Sequence, residues 1–428
     1  MLYSGATVAV GLLALIALPM PFLRSVGLGG MLIPLVTVVV AITLLPVVLA
    51  TAGPILDWPR HRNSGRTSPV WTAWAGQVVE HPVIAAGAGL VILGALLTAA
   101  STVSMNGARA DSLARTGEAR TGLVELERSG IGAGALAPFE VLVQGGSAGT
   151  VAGRFAGISG VSGAVAPAAW RHGAIAVMDV FPTADGSSPE ASATLSRVRG
   201  LAGRMAGSIQ VGGATAASED FTSAVYGSFP LMVGFIALFT FLFLVRAFRS
   251  ILLPLKAVLL NLVSVGAAWG VMVIIWQDGF GSKALWGIQS TGAITAWVPL
   301  MTFAFLFGLS MDYEVFLLTR IREAYDAGGS TEGAVVTGVG RIGRLVTGAA
   351  LILFLAFVSM SGIPQTEVKI FATGLAAGIL LDATVVRMLL VPALVVLFGR
   401  WNWWLPARLS GALRLPTPAP AAESAPAT

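Results

Sequence analysis

The chain has 428 residues, 55% of them hydrophobic and only 11% charged, with a net charge of +5 and a mean hydropathy of +0.83. Soluble domains carry roughly 25% charged residues, so this composition describes an integral membrane protein set in a lipid bilayer. Cysteine is absent and the three histidines, His61, His81 and His172, are scattered, which excludes disulfide frameworks, thiolate chemistry and Cys/His metal sets. No cofactor is expected, and no nucleic-acid partner, because the basic residues gather at helix ends, where membrane orientation accounts for them.

In chain order, residues 5–23 form a first apolar run ending at Pro19 and Pro21, and residues 28–53 form a second. Arg60, Arg62 and Arg66 then mark a cytoplasmic loop by the positive-inside rule. Residues 82–103 span outward. Residues 104–222 hold 10 of the 21 Asp and Glu, are rich in Gly and Ala, and contain no run long enough to cross a bilayer. They read as a soluble α+β domain on the outer face. Helices are expected over 111–129 and 188–205, the second opened by a Ser-Pro-Glu start signal. Strands are expected over 139–145, 174–182 and 208–213. The order fits a split βαβ, ferredoxin-like arrangement, with 145–170 left ambiguous. Residues 214–229 lead into the membrane as a helix.

Five further apolar runs follow, at 229–246, 251–276, 297–320, 343–361 and 370–398, making about eight spans. The connection around Arg246, Arg249 and Lys256 reads as cytoplasmic, as does 321–342, which suits an interfacial amphipathic helix. Within its edge, GVGRIGR (338–344) reads as a connection; it follows no strand and lacks the GK[ST] ending of a phosphate loop. The tail ends in a disordered Pro/Ala run.

The run 297–320 carries Asp312, Tyr313 and Glu314 in succession. An ionisable side chain at mid-membrane costs several kcal/mol unless it faces the bundle interior or water, so Asp312 is a functional-site hypothesis. Burial makes such a carboxylate suited to binding and releasing a proton. The structural alternative is a hydrogen-bonded carboxylate that never titrates. Tyr313 points about 100° away from Asp312 and suits a bond to another helix's carboxylate. Glu314 faces away from Asp312 and is expected near headgroups or arginines. The last run carries Asp382 and Arg387, whose five-residue spacing is poor for pairing on one α-helical face; either suits a partner across the bundle, and snorkelling is the alternative for Arg387. Asn261 and Ser264 are intramembrane polar residues suited to interhelical hydrogen bonds. No Ser/His/Asp set argues for an enzyme.

FGLSMDYEVFLLTRIREAY (307–325) resembles the MMPL family, the "mycobacterial membrane protein large" branch of the resistance-nodulation-division transporters. So do VGGATAASEDF (211–221), LVRAFRSILLPLKAVLLNLVSVGAAWGV (244–271), GLAAGILLDATVVRMLLVPALVVLFGRWNWWLP (374–406), and FLRSVGLGG with ITLLP (22–46). The resemblance implies two six-helix repeats, each with a porter-like outer domain after its first helix, exporting lipids or other hydrophobic compounds by proton influx. It implies a proton relay at Asp312 and Tyr313, with Asp382 and Arg387 in support.

Laid on that pattern, 1–53 is expected to be the last two helices of an incomplete first repeat and 54–81 a cytoplasmic linker. The second repeat is expected to open with helix 82–103, followed by an extracytoplasmic porter-like domain over 104–227, a five-helix bundle over 228–400 and a cytoplasmic tail over 401–428. Both termini are expected to be cytoplasmic, in the cell membrane. The first Asp-Tyr pair has no counterpart here, so activity is expected to need a chain supplying the missing repeat, or a homo-oligomer. The alternative is a non-transporting remnant or a membrane scaffold whose outer domain binds partners.

Overall fold

A computed structural model of the protein describes residues 9, 12–17, 20–56, 67–107, 109–113, 117–205, 207–328 and 330–406. Residues 5–8, 10–11 and 18–19 of the expected run 5–23, the arginine cluster at 60–66 and the tail beyond 406 lie outside the described residues.

Among the described residues, seven helices are long and apolar enough to cross a bilayer. They belong to the following elements. Helix α1 (Pro21–Leu56) starts earlier than the hydropathy of 28–53 suggests. Proline fits a first helical turn, where its missing N–H would be unpaired in any case, so Pro21 opens this helix rather than ending the previous run. Helix α2 (Pro69–Glu80) occupies part of the expected linker, and α3 (Pro82–Ala100) follows it.

The segment between α3 and the next long helix holds α4 (Gly117–Arg128), β1 (Phe139–Gln144), α5 (Ala148–Ala156), β2 (Val161–Val165), the short β3 (Arg171–His172), β4 (Ile175–Pro182), α6 (Pro189–Ala202) and β5 (Ser208–Val211). The strands lie in the order β2-β4-β1-β5, with β3 also on β4. Both neighbours of β1 are antiparallel to it, Phe139 opposite Val180 and Val141 opposite Val211. This is the split βαβ topology, and the ambiguous stretch 145–170 supplies its first helix and second strand. Alternation sorts the faces. Phe139, Val141, Val143, Met178 and Val180 point into a core closed by Val151 and Phe155 of α5 and Leu195 and Val198 of α6. The Ser188 hydroxyl caps α6 by accepting the Ala191 N–H at 3.2 Å, the role its start signal predicts.

Helix α7 (Ala214–Phe248) runs unbroken from the sheet into the bundle. At 35 residues it is about 52 Å long, enough to span a bilayer and project from it. Then come α8 (Leu252–Met272) with a π-helical end over Val273–Gln277, α9 (Trp297–Asp326), α10 (Thr331–Met360) and α11 (Thr366–Leu381). A π-helical stretch over Asp382–Leu390 joins α11 to α12 (Val391–Phe398).

Two expectations change here. The region 321–342 is no separate interfacial helix: α9 continues to Asp326, and α10 starts at Thr331, capped by Ser330. GVGRIGR is therefore helix interior rather than a connection. Its glycines read as loop punctuation, yet they serve close packing. A Cβ on Gly338 would come within 3.1 Å of the Ile321 backbone, and one on Gly343 within 2.7 Å of the Trp71 ring. Without a hydrophobic drive between helices in lipid, such small residues let backbones approach and gain dispersion contacts.

Helix α9 sits at the centre, its most apolar window 71% buried, whereas the corresponding window of α1 is 0% buried. Outward apolar side chains such as Ile33, Val91, Leu231 and Ile352 form lipid-facing surface.

The tightest helix contact predicts a graded response. A Cβ on Gly270 of α8 would lie 2.0 Å from the Leu96 carbonyl oxygen of α3, which no rotamer change relieves. Gly270→Ala should cost about 1–3 kcal/mol, read as a lowered unfolding midpoint in detergent, whereas Gly94→Ala, with nothing within 4 Å, should not. On the open sheet face Asp179 lies opposite Glu140. Burial first, and then the Glu140 charge, push the Asp179 carboxyl above its usual range. Its proton is held more tightly in the folded chain, so this pair stabilises the fold below the ordinary carboxylate range and loses that contribution as pH rises. Asp179→Asn should flatten that part of the pH dependence of thermal melting; an unchanged profile would refute the assignment.

Candidate functional site

The site forms where α8, α9 and the α11–α12 rod meet at mid-bundle. Its centre is Arg387, fully buried at 0% exposure. Its Nε donates to Asp382 Oδ2 at 2.8 Å and its Nη2 lies 2.7 Å from the same oxygen. Nη2 also donates to the Ser310 hydroxyl at 2.8 Å and to the Ser310 carbonyl on α9. The guanidinium lies 5.1 Å from the centre of the Tyr313 ring, a cation–π arrangement.

The five-residue spacing that argues against pairing in an α-helix puts two side chains about 140° apart. The π-helical stretch removes that objection: with i→i+5 bonding, residues five apart stack on one face. The cause of the irregularity lies just downstream. Pro392 has no N–H and its ring crowds the carbonyl of residue 388 in a regular helix. The Met388 carbonyl is instead taken by the Trp74 indole N–H of α2 at 2.7 Å. A proline, a π-turn and a tryptophan from another helix together aim Asp382 at Arg387. Neither residue snorkels.

Asp312 lies on α9, two residues from Ser310 and next to Tyr313; its side chain lies outside the described residues. Tyr313, Ser310 and Asp382 line a small cavity together with Asn261, Ser264 and Leu309. Asn261 is buried and donates from Nδ2 to the Phe307 carbonyl at 3.2 Å. Its Oδ1 and Arg387 Nη1 have no hydrogen-bond partner among the described residues. A polar, enclosed space bounded by such atoms is suited to ordered water.

The structure therefore brings Tyr313, Asp382, Arg387 and Asn261 to one place. Ser310, the residue that ties Arg387 to α9, went unpredicted; its signal was a hydroxyl one turn before Glu314 in an apolar run. Glu314 is not among headgroups: it is 5% exposed, within the bundle, in a second cavity with Lys256. Lys256, expected in a connection, sits on the second turn of α8 because that helix begins at Leu252. Among the described residues no group of three or more His, Cys, Asp or Glu is placed to hold a metal.

Fold and site together define a polytopic helical membrane protein with an inserted ferredoxin-like α+β domain and a charged pair buried among its helices. An MMPL family profile matches residues 1–85 and 164–427, and the chain belongs to the MMPL family. It is 34% identical over 427 residues to the mycolic acid-containing lipids exporter MmpL11 of Mycolicibacterium smegmatis, covering 94% of this chain and 44% of that protein. It is 36% identical over 431 residues to the heme uptake protein MmpL11 of Mycobacterium tuberculosis, again covering 44% of the relative. The trehalose monomycolate exporter MmpL3 of Mycobacterium tuberculosis is 37% identical over 217 residues, 51% of this chain and 23% of that one. The chain thus spans under half the length of these relatives. A crystal structure of a heavy metal efflux pump superposes with a TM-score of 0.58 at 12% identity, covering 92% of this chain and 58% of the pump, which is a likeness of fold.

Removing one member of the buried pair leaves a bare charge in a medium that cannot solvate it. Arg387→Met alone should cost about 3–5 kcal/mol, read as lost folded protein in detergent. The double variant Arg387→Met with Asp382→Leu should recover much of that loss; a double variant as unstable as the single one would refute the pairing.

Proposed function

We propose that this chain forms one half of a proton-driven exporter of hydrophobic, lipid-class compounds. In this reading it works with a complementary helical half, whether from a second chain, a second copy or residues continuous with this one. Asp312 and Tyr313 are the proton relay; Asp382, Arg387 and Asn261 support it. The enzyme reading finds no support: the matched relatives are named for transport.

The observation that carries the proposal is the buried Arg387–Asp382 pair bonded to α9 within one turn of Asp312. Such a pair costs several kcal/mol of desolvation in a bundle that apolar residues could have filled, and it is a poor device for stability alone. Proton-coupled transport needs this kind of arrangement: a carboxylate that gains and loses charge beside a fixed cation, with water space next to it. Tyr313, its ring against the guanidinium, is held where its hydroxyl can share in the transfer.

The cargo class rests on the named lipid exporters and on a cleft. At the junction of the inserted domain and α7, an open cleft of about 380 Å³ is walled by Ala110, Ala133, Leu136, Ala137 and Ala214, with Asp185 and Ser187 at its polar side. Small apolar walls with a few polar groups suit an acyl chain carrying a polar head. In the orientation we propose, 104–227 faces outward and both termini face the cytoplasm, which places this cleft at the outer membrane surface.

Asp312→Asn should abolish proton-coupled export from cells or inside-out vesicles holding the chain at native abundance, by about a hundredfold or more, the scale of a lost acid–base group. Tyr313→Phe should cost less. Unchanged export with normal membrane abundance would sink the proposal and favour a membrane scaffold.

A further inference from the structure

Glu314 and Lys256 have no place in the relay just described, and both are ionisable groups inside the bundle. Glu314 follows Ser310 by four residues, so it lies one turn further along α9 on much the same face. The Arg387 and Asp382 charges act on it across that turn, and the Lys256 charge acts on it from α8. Glu314 and Lys256 line one small cavity, otherwise walled by aliphatic residues such as Leu260, Leu318 and Val391. Among the described residues no direct ion pair within 4.0 Å joins the two. The space they share is on the scale of a single water.

Lys256 is itself fastened. Its Nζ donates to the Leu394 carbonyl at 3.4 Å and to the Asn402 side-chain oxygen, and lies 5.0 Å from the centre of the Phe398 ring. Asn402 is fully buried; its Nδ2 donates to the carbonyls of Val395 and Gly399, both at 2.7 Å. Its own carbonyl accepts the Ser250 hydroxyl at 2.5 Å. Two bonded polar groups thus flank Glu314, Asp382–Arg387–Ser310 on one side and Lys256–Asn402 on the other, with aliphatic side chains around Glu314 itself. The second group ends where the α7–α8 turn meets Gly399–Trp404.

We propose that Glu314 is a second proton-transfer station, which links the mid-bundle relay to the end of the bundle formed by Ser250 and Asn402, with Lys256 as its counter-ion and Asn402 as the clamp on Lys256. One proton moves per step. A protonated relay carboxyl passes its proton through water to the Glu314 carboxylate, which becomes the neutral acid. Glu314 then releases that proton through the shared cavity toward the Ser250–Asn402 end and returns to the anion facing Lys256. No bond other than O–H forms or breaks, and no redox partner is needed. The charged groups acting on Glu314 are Asp382 and Arg387 from the α11–α12 rod and Lys256 from α8. This inference rests on the relay reading, and the test separates the two.

The full-length chain in lipid nanodiscs is titrated by pH-difference infrared spectroscopy, and proton-coupled flux is measured in parallel in native inside-out vesicles. Glu314→Gln should delete one titrating carboxyl band and slow flux by about a hundredfold. Lys256→Met should keep that band but move its midpoint. Glu314→Asp, which retains a carboxyl should the glutamine variant fold poorly, should keep a titrating band and restore flux to within about tenfold of the parent. If neither Glu314→Gln nor Glu314→Asp alters any titrating band, or if flux and its pH profile are unchanged in both, the station does not exist. If Asp312→Asn leaves flux intact, the relay reading fails whatever Glu314 does.

Discussion

The buried Arg387–Asp382 pair is the constraint that the rest of the bundle serves. A guanidinium at 0% exposure needs an anion, further acceptors and walls that keep out lipid, and each comes from a different element. Asp382 comes from its own rod, through the π-turn. Ser310 comes from α9 with both its carbonyl and its hydroxyl, and the Tyr313 ring covers one face. The proline that forces the π-turn leaves a carbonyl that Trp74 of α2 satisfies. A helix far away in sequence thus takes part in holding one charge in place.

Around that centre the helices pack by absence of side chains. Gly270 meets α3, Gly338 meets α9, and Gly378 meets Leu306 close by the polar cavity. Close backbone approach lets α9 lie deep in the bundle, so the polar residues it carries are sealed from lipid. The same packing sets aside two small spaces on α9, one around Tyr313 and Asp382, the other, largely aliphatic-walled, around Glu314 and Lys256. Arg387 stands between them and couples electrostatically to both carboxylates.

The inserted α+β domain is joined to this bundle through a continuous helix. Helix α7 begins beside β5 and ends at the turn before α8, so a tilt of the sheet and a tilt of the bundle share one rigid rod. Hydrogen bonds tie the other junction: Gln277 at the end of α8 bonds both the Ser104 N–H at 2.8 Å and the Thr102 carbonyl at 2.9 Å, where α3 leaves the bundle. The bundle of α8, α9 and the α11–α12 rod is thus mechanically joined to the domain that holds the cleft.

Apolar run length, charge scarcity and the Asp312–Tyr313–Glu314 insertion were enough, from the sequence by itself, to determine a multi-pass membrane protein with an α+β insert and ionisable residues on one membrane helix. Period-2 alternation and the Ser188 cap gave the ferredoxin-like order, since both are local properties of the chain. The tertiary structure alone decided how the polar residues meet. Asp382 and Arg387 pair only because Pro392 and Trp74 support a π-turn, a coupling of residues more than three hundred positions apart. Glu314 is buried because α8 starts early enough to bring Lys256 beside it. GVGRIGR is helical because Ile321 and Trp71 press against its glycines. In each case the local pattern fitted two readings, and the choice lay with atoms that only folding brings near.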